Sequence, residues 1–153
     1  MDVKYINPFM ESFFFVMPQL GFQNPIKRNI RVINQIDSAK INISLGIIGD
    51  IRGNVIYTMN QETGKRIASQ MMMGMPVEDF NEMAQSAISE LTNMLTANAS
   101  IIFANNGTNI NISPPTLFYG EEIHVKTKTQ NIISIGLSVG DLDIDINVAL
   151  NVL

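Results

Sequence analysis

The sequence predicts an α+β domain, a mainly antiparallel β-sheet with helices packed on one face. Three observations carry this. Leu142, Ile144, Ile146, Val148, Leu150 and Val152 alternate with Asp141, Asp143, Asp145, Asn147, Ala149 and Asn151, the two-residue period of a strand with one buried face. Residues 39–59 show the same period on both sides of Gly49-Asp50-Ile51-Arg52-Gly53-Asn54, which reads as a hairpin turn. A helical period runs from about 79 to 104, long enough to lie across a sheet and bury one stripe against it. Short turns between strands make antiparallel pairs, and such a sheet needs a cover on only one face.

The remaining elements follow in chain order. Ile6, Phe9, Phe13 and Met17 recur at spacings of three and four, one face of a helix. Pro8 falls in its tolerant first turn, and Pro18 and Gly21 close it. A strand is predicted over 26–36, with Ile30, Val32, Asn34 and Ile36 on its more apolar face; Asn34 leaves the burial of that face open. After the hairpin, Asn60 to Thr63 end the strand and a short helix over about 63–73 turns Ile67, Ala68 and Met71 inward before Gly74 and Pro76 break it. Asp79 or Glu78 suits the N-terminus of the long helix through the macrodipole. Its inner face is read as Ala84, Ala87, Ile88, Leu91, Met94, Leu95, Asn98 and Ile102, and Asn105-Asn106-Gly107 is its stop. Ile110 and Ile112 form a short strand running into Pro114-Pro115, and 123–128 and 132–139 read as strands. Residues 1–153 show no repeat and no linker and are expected to form a single domain.

Composition narrows the function. A chain of 153 residues with 46% apolar and 16% charged residues can build a real core. Ten Lys and Arg stand against fourteen Asp and Glu, and no basic cluster occurs, so nucleic acid is not an expected partner. The longest uncharged stretch, 91–120, is broken by Asn residues, Gly107, Pro114 and Pro115, so no membrane span is expected. Asp2 and Glu11 spoil a signal peptide at the start, and a cytoplasmic location is expected. With no Cys and one His, disulfides, thiolate chemistry, Cys-based zinc sites and His-rich metal sites are excluded. An enzyme here would work with carboxylates, amides, hydroxyls or a borrowed metal, and the chain is expected to bind no cofactor of its own.

The long helix carries the candidate site. Ser86, Glu90, Asn93 and Ala97 are spaced four, three and four, and at 100° per residue they share a stripe about 60° wide. The apolar residues Ala87, Leu91, Met94 and Leu95 centre about 115° away by the same arithmetic. A carboxylate and a carboxamide therefore stand side by side on a rigid element. An amide can accept from a water while donating elsewhere, and a carboxylate can pair with a cation or take a proton. An ordinary solvated helix face shows the same polar stripe, so the pattern alone does not choose. Other features have plain readings. Asp141, Asp143 and Asp145 lack the calcium-loop spacing and read as a solvated strand face. The run Met71-Met72-Met73-Gly74-Met75 reads as core filler at a helix end rather than an adaptable docking surface. His124 reads as structural, and Lys126 and Lys128 beside Thr127 and Thr129 as a polar strand face or sheet edge.

The segment Ser86-Ala87-Ile88-Ser89-Glu90-Leu91-Thr92-Asn93-Met94, followed by Ala97-Asn98-Ala99, resembles the signature helix of the CheC/CheX/FliY family of chemotaxis phosphatases. That signature is an Asp or Ser, a Glu after three intervening residues, an Asn after two more, and a Pro some twenty-odd residues on, here Pro114 or Pro115. The strand-turn-strand from Gly49 to Met59 and the opening Ile6-Asn7-Pro8-Phe9 resemble the family too; the length and single motif are most like its CheX members. The resemblance implies a CheC/CheX-like fold and a hydrolase that removes the aspartyl phosphate of the response regulator CheY. It implies that Asn93 orients the attacking water, that Glu90 pairs with a receiver lysine, and that Ser86 and Ala97 touch the partner. It places Mg²⁺ on the receiver and implies a homodimer. Two departures stand out. Glu11 is followed three residues later by Phe14, which cannot orient water, so a single site is expected; and Ala97 stands where the family is expected to favour Gly. The rival class is a non-enzymatic adaptor that binds a receiver domain or flagellar-switch component.

Overall fold

The computed structural model describes residues 3–37, 41–120, 124–127 and 131–152. After a 3₁₀ turn at Val3–Tyr5 the elements are α1 (Asn7–Gln19), β1 (Pro25–Ile33), β2 (Ile36–Asp37), β3 (Ile41–Gly49), β4 (Ile51–Met59), α2 (Gln61–Met71) and α3 (Glu82–Asn105). Then come β5 (Ile110–Ile112), β6 (Thr116–Tyr119), β7 (His124–Val125), β8 (Ile132–Val139) and β9 (Leu142–Val152). The main sheet runs β1-β8-β9-β4-β3, with the short β5 and β6 both on the outer edge of β3; β2 and β7 make a separate ribbon. Every pairing is antiparallel.

Alternation decides the faces. Ile144, Ile146, Val148 and Leu150 of β9 are buried with Ile135 and Leu137 of β8 and Val55 and Tyr57 of β4. On this face lie all three helices, which contribute Phe9, Phe13 and Met17 from α1, Ile67 and Ala68 from α2, and Ile88, Leu91, Leu95 and Phe103 from α3. The Phe9 and Phe103 rings meet edge to face at 5.5 Å, and the Ser12 hydroxyl donates to the Leu95 carbonyl at 2.6 Å, so α1 and α3 are joined by both kinds of contact. The opposite face is polar. Arg28 lies 3.4 Å from Asp143 and 3.0 Å from Asp145, and a small cluster of Ile36, Ile56, Ile132 and Ala149 ties the β2–β7 ribbon to the sheet. Asp143 and Asp145 thus stand on the strand's polar face, as the alternation predicts. In the turn just before that strand Arg66 donates to Asp141 at 2.8 Å, and that hydrogen bond holds the Asp141 carboxyl below the usual carboxylate range.

Several sequence expectations shift. The strand expected over 26–36 is two elements: β1 stops at Ile33, and Ile36 is buried in the ribbon. Ile30 and Val32 are 48% and 67% exposed because β1 is the sheet's edge strand and the helices do not cover it. The hairpin turn is tighter than Gly49 to Asn54, since Ile47 already faces Gly53 and Ile51 to Asn54 pair with β9. Gly53 serves close approach instead: its φ is +150° and a Cβ there would strike the Ala149 carbonyl. The starts of α2 and α3 are set by asparagine caps. Asn60 accepts from the Thr63 amide at 2.8 Å and Asn81 from the Ala84 amide at 3.0 Å, leaving Glu78 and Asp79 outside α3. β6 was not foreseen. Of the strand expected over 123–128, His124 and Val125 form β7; Ile123, Lys128 and Thr129 lie outside the described residues. Met71 and Met72 pack against the core, whereas Met73 and Met75 are exposed. Among the described residues no helix is long and apolar enough to cross a membrane.

Candidate active site

Helix α3 carries Ser86, Glu90, Asn93 and Ala97, so its roll about its own axis decides where they point. Its buried residues are Ala84, Ile88, Leu91, Thr92, Leu95, Thr96, Ala99 and Phe103. At 100° per residue these centre about 160° from the Ser86–Ala97 stripe, nearly the opposite side of the cylinder. The apolar direction set by Ala87, Leu91, Met94 and Leu95 misses this face by about 85°, because Thr92 and Thr96 are counted as polar and Met94 as apolar. Both threonines are buried at little cost. Thr92 Oγ1 donates to the Ser89 carbonyl at 2.8 Å and Thr96 Oγ1 to the Thr92 carbonyl at 2.7 Å. The Tyr57 hydroxyl, 2.8 Å from Thr96 Oγ1, then donates to it, since the Thr96 proton is already engaged. Burial pushes the Tyr57 phenol well above its ordinary pKa. Asn98, read from the sequence as an inner-face residue, is half-buried, with its Oδ1 out of contact with water and no hydrogen-bond partner.

The stripe opens on a groove of about 790 Å³ between α3 and the β5–β6 segment. Glu82, Gln85, Ser86, Ser89, Glu90 and Asn93 line its helical wall, and Ile112, Ser113, Pro114, Pro115 and Leu117 the other. Ser86 and Glu90 are exposed and Asn93 is half-buried. The structure therefore brings together Ser86, Glu90, Asn93 and the two prolines, residues separated by more than twenty positions in the chain. Ala97 stands one turn further along the stripe, half-buried, and does not line the groove. Glu11 and Phe14 are exposed on α1, where the phenyl ring offers no amide.

The sequence pattern does not single out Glu82, Gln85, Ser89, Ile112, Ser113 and Leu117 as groove residues. Ser89 was within reach, because it lies three after Ser86 and four before Asn93 on the same helix. Ser113 gave only its position before two prolines; its partner Gly46 is 67 residues away. Chemically the groove sets two carboxylates, two carboxamides and hydroxyls against an apolar wall; the Gln85 amide already donates to the Phe80 carbonyl at 2.9 Å, whereas Asn93 has no such tie among the described residues. Among the described residues no three His, Cys, Asp or Glu side chains gather into a metal-ligand cluster.

The chain resembles known proteins in both sequence and fold. The family model described as chemotaxis phosphatase CheX matches residues 41–138, which hold the hairpin, α3 and both prolines. The CheY-P phosphatase CheX of Thermotoga maritima is 28% identical over 128 residues, 83% of each chain. The crystal structure of the chemotaxis protein CheX from Vibrio vulnificus superposes with a TM-score of 0.85 at 22% identity, covering 97% of this chain and 99% of its own. The CheX–CheY–BeF3–Mg²⁺ complex from Borrelia burgdorferi superposes with a TM-score of 0.77 at 23% identity, covering 98% of this chain and 99% of the other. With the family model spanning well over half of its residues, and with helices on one face of an antiparallel sheet as in those structures, the chain belongs to the CheX family of chemotaxis phosphatases.

Proposed function

We propose that this protein hydrolyses the aspartyl phosphate of a CheY-like response regulator in the cytoplasm. The observation that carries the reading is that Glu90 and Asn93 stand together on an open groove wall, facing Pro114 and Pro115, on a helix whose other side is locked into the core. A partner's loop can reach both side chains. The Thermotoga relative named as a CheY-P phosphatase, and the Borrelia relative held in complex with CheY, support the choice of substrate.

An acyl phosphate is already activated, so catalysis reduces to placing water in line and stabilising charge. The Asn93 carboxamide accepts a hydrogen bond from the water and aims its oxygen at phosphorus. The water oxygen bonds to phosphorus as the bond to the aspartyl oxygen breaks, releasing a free carboxylate and inorganic phosphate. Glu90 pairs with the receiver's lysine and fixes the register of the two proteins, and Ser86 and Ala97 contribute contacts along the same stripe. The receiver would hold Mg²⁺, which would supply charge compensation at the phosphoryl group.

The test is phosphate release from a phosphorylated receiver with Mg²⁺, with and without this protein. Acceleration that Asn93→Ala abolishes supports the reading. Binding without acceleration identifies an adaptor. We also propose that two copies associate as a homodimer along β1, the edge strand whose Ile26, Ile30 and Val32 are exposed.

A further inference from the structure

The outer edge of β3 is shared by two short strands laid end to end. β5 pairs with Ile47 to Gly49 and β6 with Ile41 to Ser44. Between them the chain is Ser113-Pro114-Pro115, and neither proline has an N–H to give to β3. Opposite this break stands Gly46. The Ser113 amide donates to the Gly46 carbonyl at 2.9 Å, and the Gly46 amide donates to Ser113 Oγ at 2.7 Å. A side-chain hydroxyl thus takes the place of a strand carbonyl, and its own proton points to the Pro114 carbonyl at 3.2 Å. A Cβ on Gly46 would stand 3.2 Å from Ser113 Oγ, so the close approach depends on glycine there.

This clasp sits at the foot of the proline wall, and Ser113 itself lines the groove. The proline wall and the Glu90–Asn93 stripe belong to different elements, so no local chain geometry fixes their separation. We infer that Ser113 is a positioning residue: by clasping Gly46 it sets how far Pro114 and Pro115 stand from Glu90 and Asn93, and hence how a receiver seats in the groove. This rests on the phosphatase reading above. Ser113 does not touch the reacting atoms in that scheme, so its loss moves docking more than chemistry.

The experiment compares wild type, Ser113→Ala, Ser113→Thr and Gly46→Ala. Each is measured for kcat and KM on phosphorylated receiver and for Kd on receiver carrying beryllofluoride and Mg²⁺, with circular dichroism as the check on folding. Ser113→Ala and Gly46→Ala are expected to raise KM and Kd about fivefold, the factor one hydrogen bond carries, with kcat within about twofold. Ser113→Thr keeps the hydroxyl and is expected to stay within about twofold of wild type in all three. Should Ser113→Ala not fold, Ser113→Cys, near-isosteric with a weak acceptor, replaces it. A folded Ser113→Ala or Ser113→Cys with wild-type KM and Kd overturns the proposal, as does a loss confined to kcat or to melting temperature. A wild-type protein that binds the beryllofluoride receiver but releases no phosphate sinks the phosphatase reading and leaves the clasp to be judged by Kd. A wild-type protein that does not bind it sinks both.

Discussion

The Tyr57 hydroxyl and Thr96 Oγ1 lie 2.8 Å apart, joining a central strand to the helix that carries Asn93 one turn earlier. Both residues are buried, and the bond runs on through Thr96 to the Thr92 carbonyl. It pins the roll of α3 with a directional contact where the surrounding leucines and isoleucines supply only packing.

Tyr57→Phe should therefore lower stability by about 1–2 kcal/mol, the cost of leaving a buried hydroxyl without its donor. It should also change the alkaline limb. Burial raises the phenol's pKa in the folded state above its unfolded value of about 10, so the folded protein keeps the proton longer. Stability from this group is complete below the unfolded pKa and falls as pH rises beyond it. Urea midpoints followed from about pH 8 to 11 should fall less steeply in the variant. Parallel curves would show that Tyr57 does not carry that limb.

Asn93→Ala should slow receiver dephosphorylation by about 100-fold or more, because water is no longer aimed, while affinity for the beryllofluoride receiver changes little. Stopped-flow decay of the phosphorylated receiver, paired with titration calorimetry, separates the two. Turnover at the wild-type rate would remove Asn93 from the mechanism.

Glu90→Gln should weaken receiver binding and flatten its dependence on salt, since an exposed ion pair across an interface is lost. Association rates over a range of ionic strength read this directly. An unchanged salt slope would mean that Glu90 faces no cation in the complex.

Phe103→Ala should destabilise the fold by about 3–5 kcal/mol, since it opens a cavity where the Phe9 ring meets α3. Thermal unfolding measures it. A much smaller loss would mean that α1 relaxes into the space.

Ile30→Asp with Val32→Asp should leave monomers by light scattering if β1 is the dimer edge, with phosphate release per chain unchanged. A double variant that remains dimeric would move the interface elsewhere.

Local patterns were legible wherever a residue's burial follows from its own polarity. The alternation of Leu142 to Leu150 foretold the core face of β9, and Ile6, Phe9, Phe13 and Met17 foretold that of α1. The pattern misled where burial depends on a distant neighbour. Thr92 and Thr96 are inside because carbonyls of their own helix and Tyr57 satisfy them. Ile30 and Val32 are outside because the helical layer stops short of β1.

What the sequence determined by itself was the α3 stripe. Helical periodicity alone sets Ser86, Glu90 and Asn93 on one line, because the backbone repeat does not depend on context. Only the tertiary structure decided that the line faces a groove, and that Ser113, Pro114 and Pro115 form its other wall. The reason is physical: the roll of a helix and the path of a strand-edge loop are settled by contacts across tens of residues, such as Tyr57 with Thr96 and Gly46 with Ser113, which no local spacing encodes.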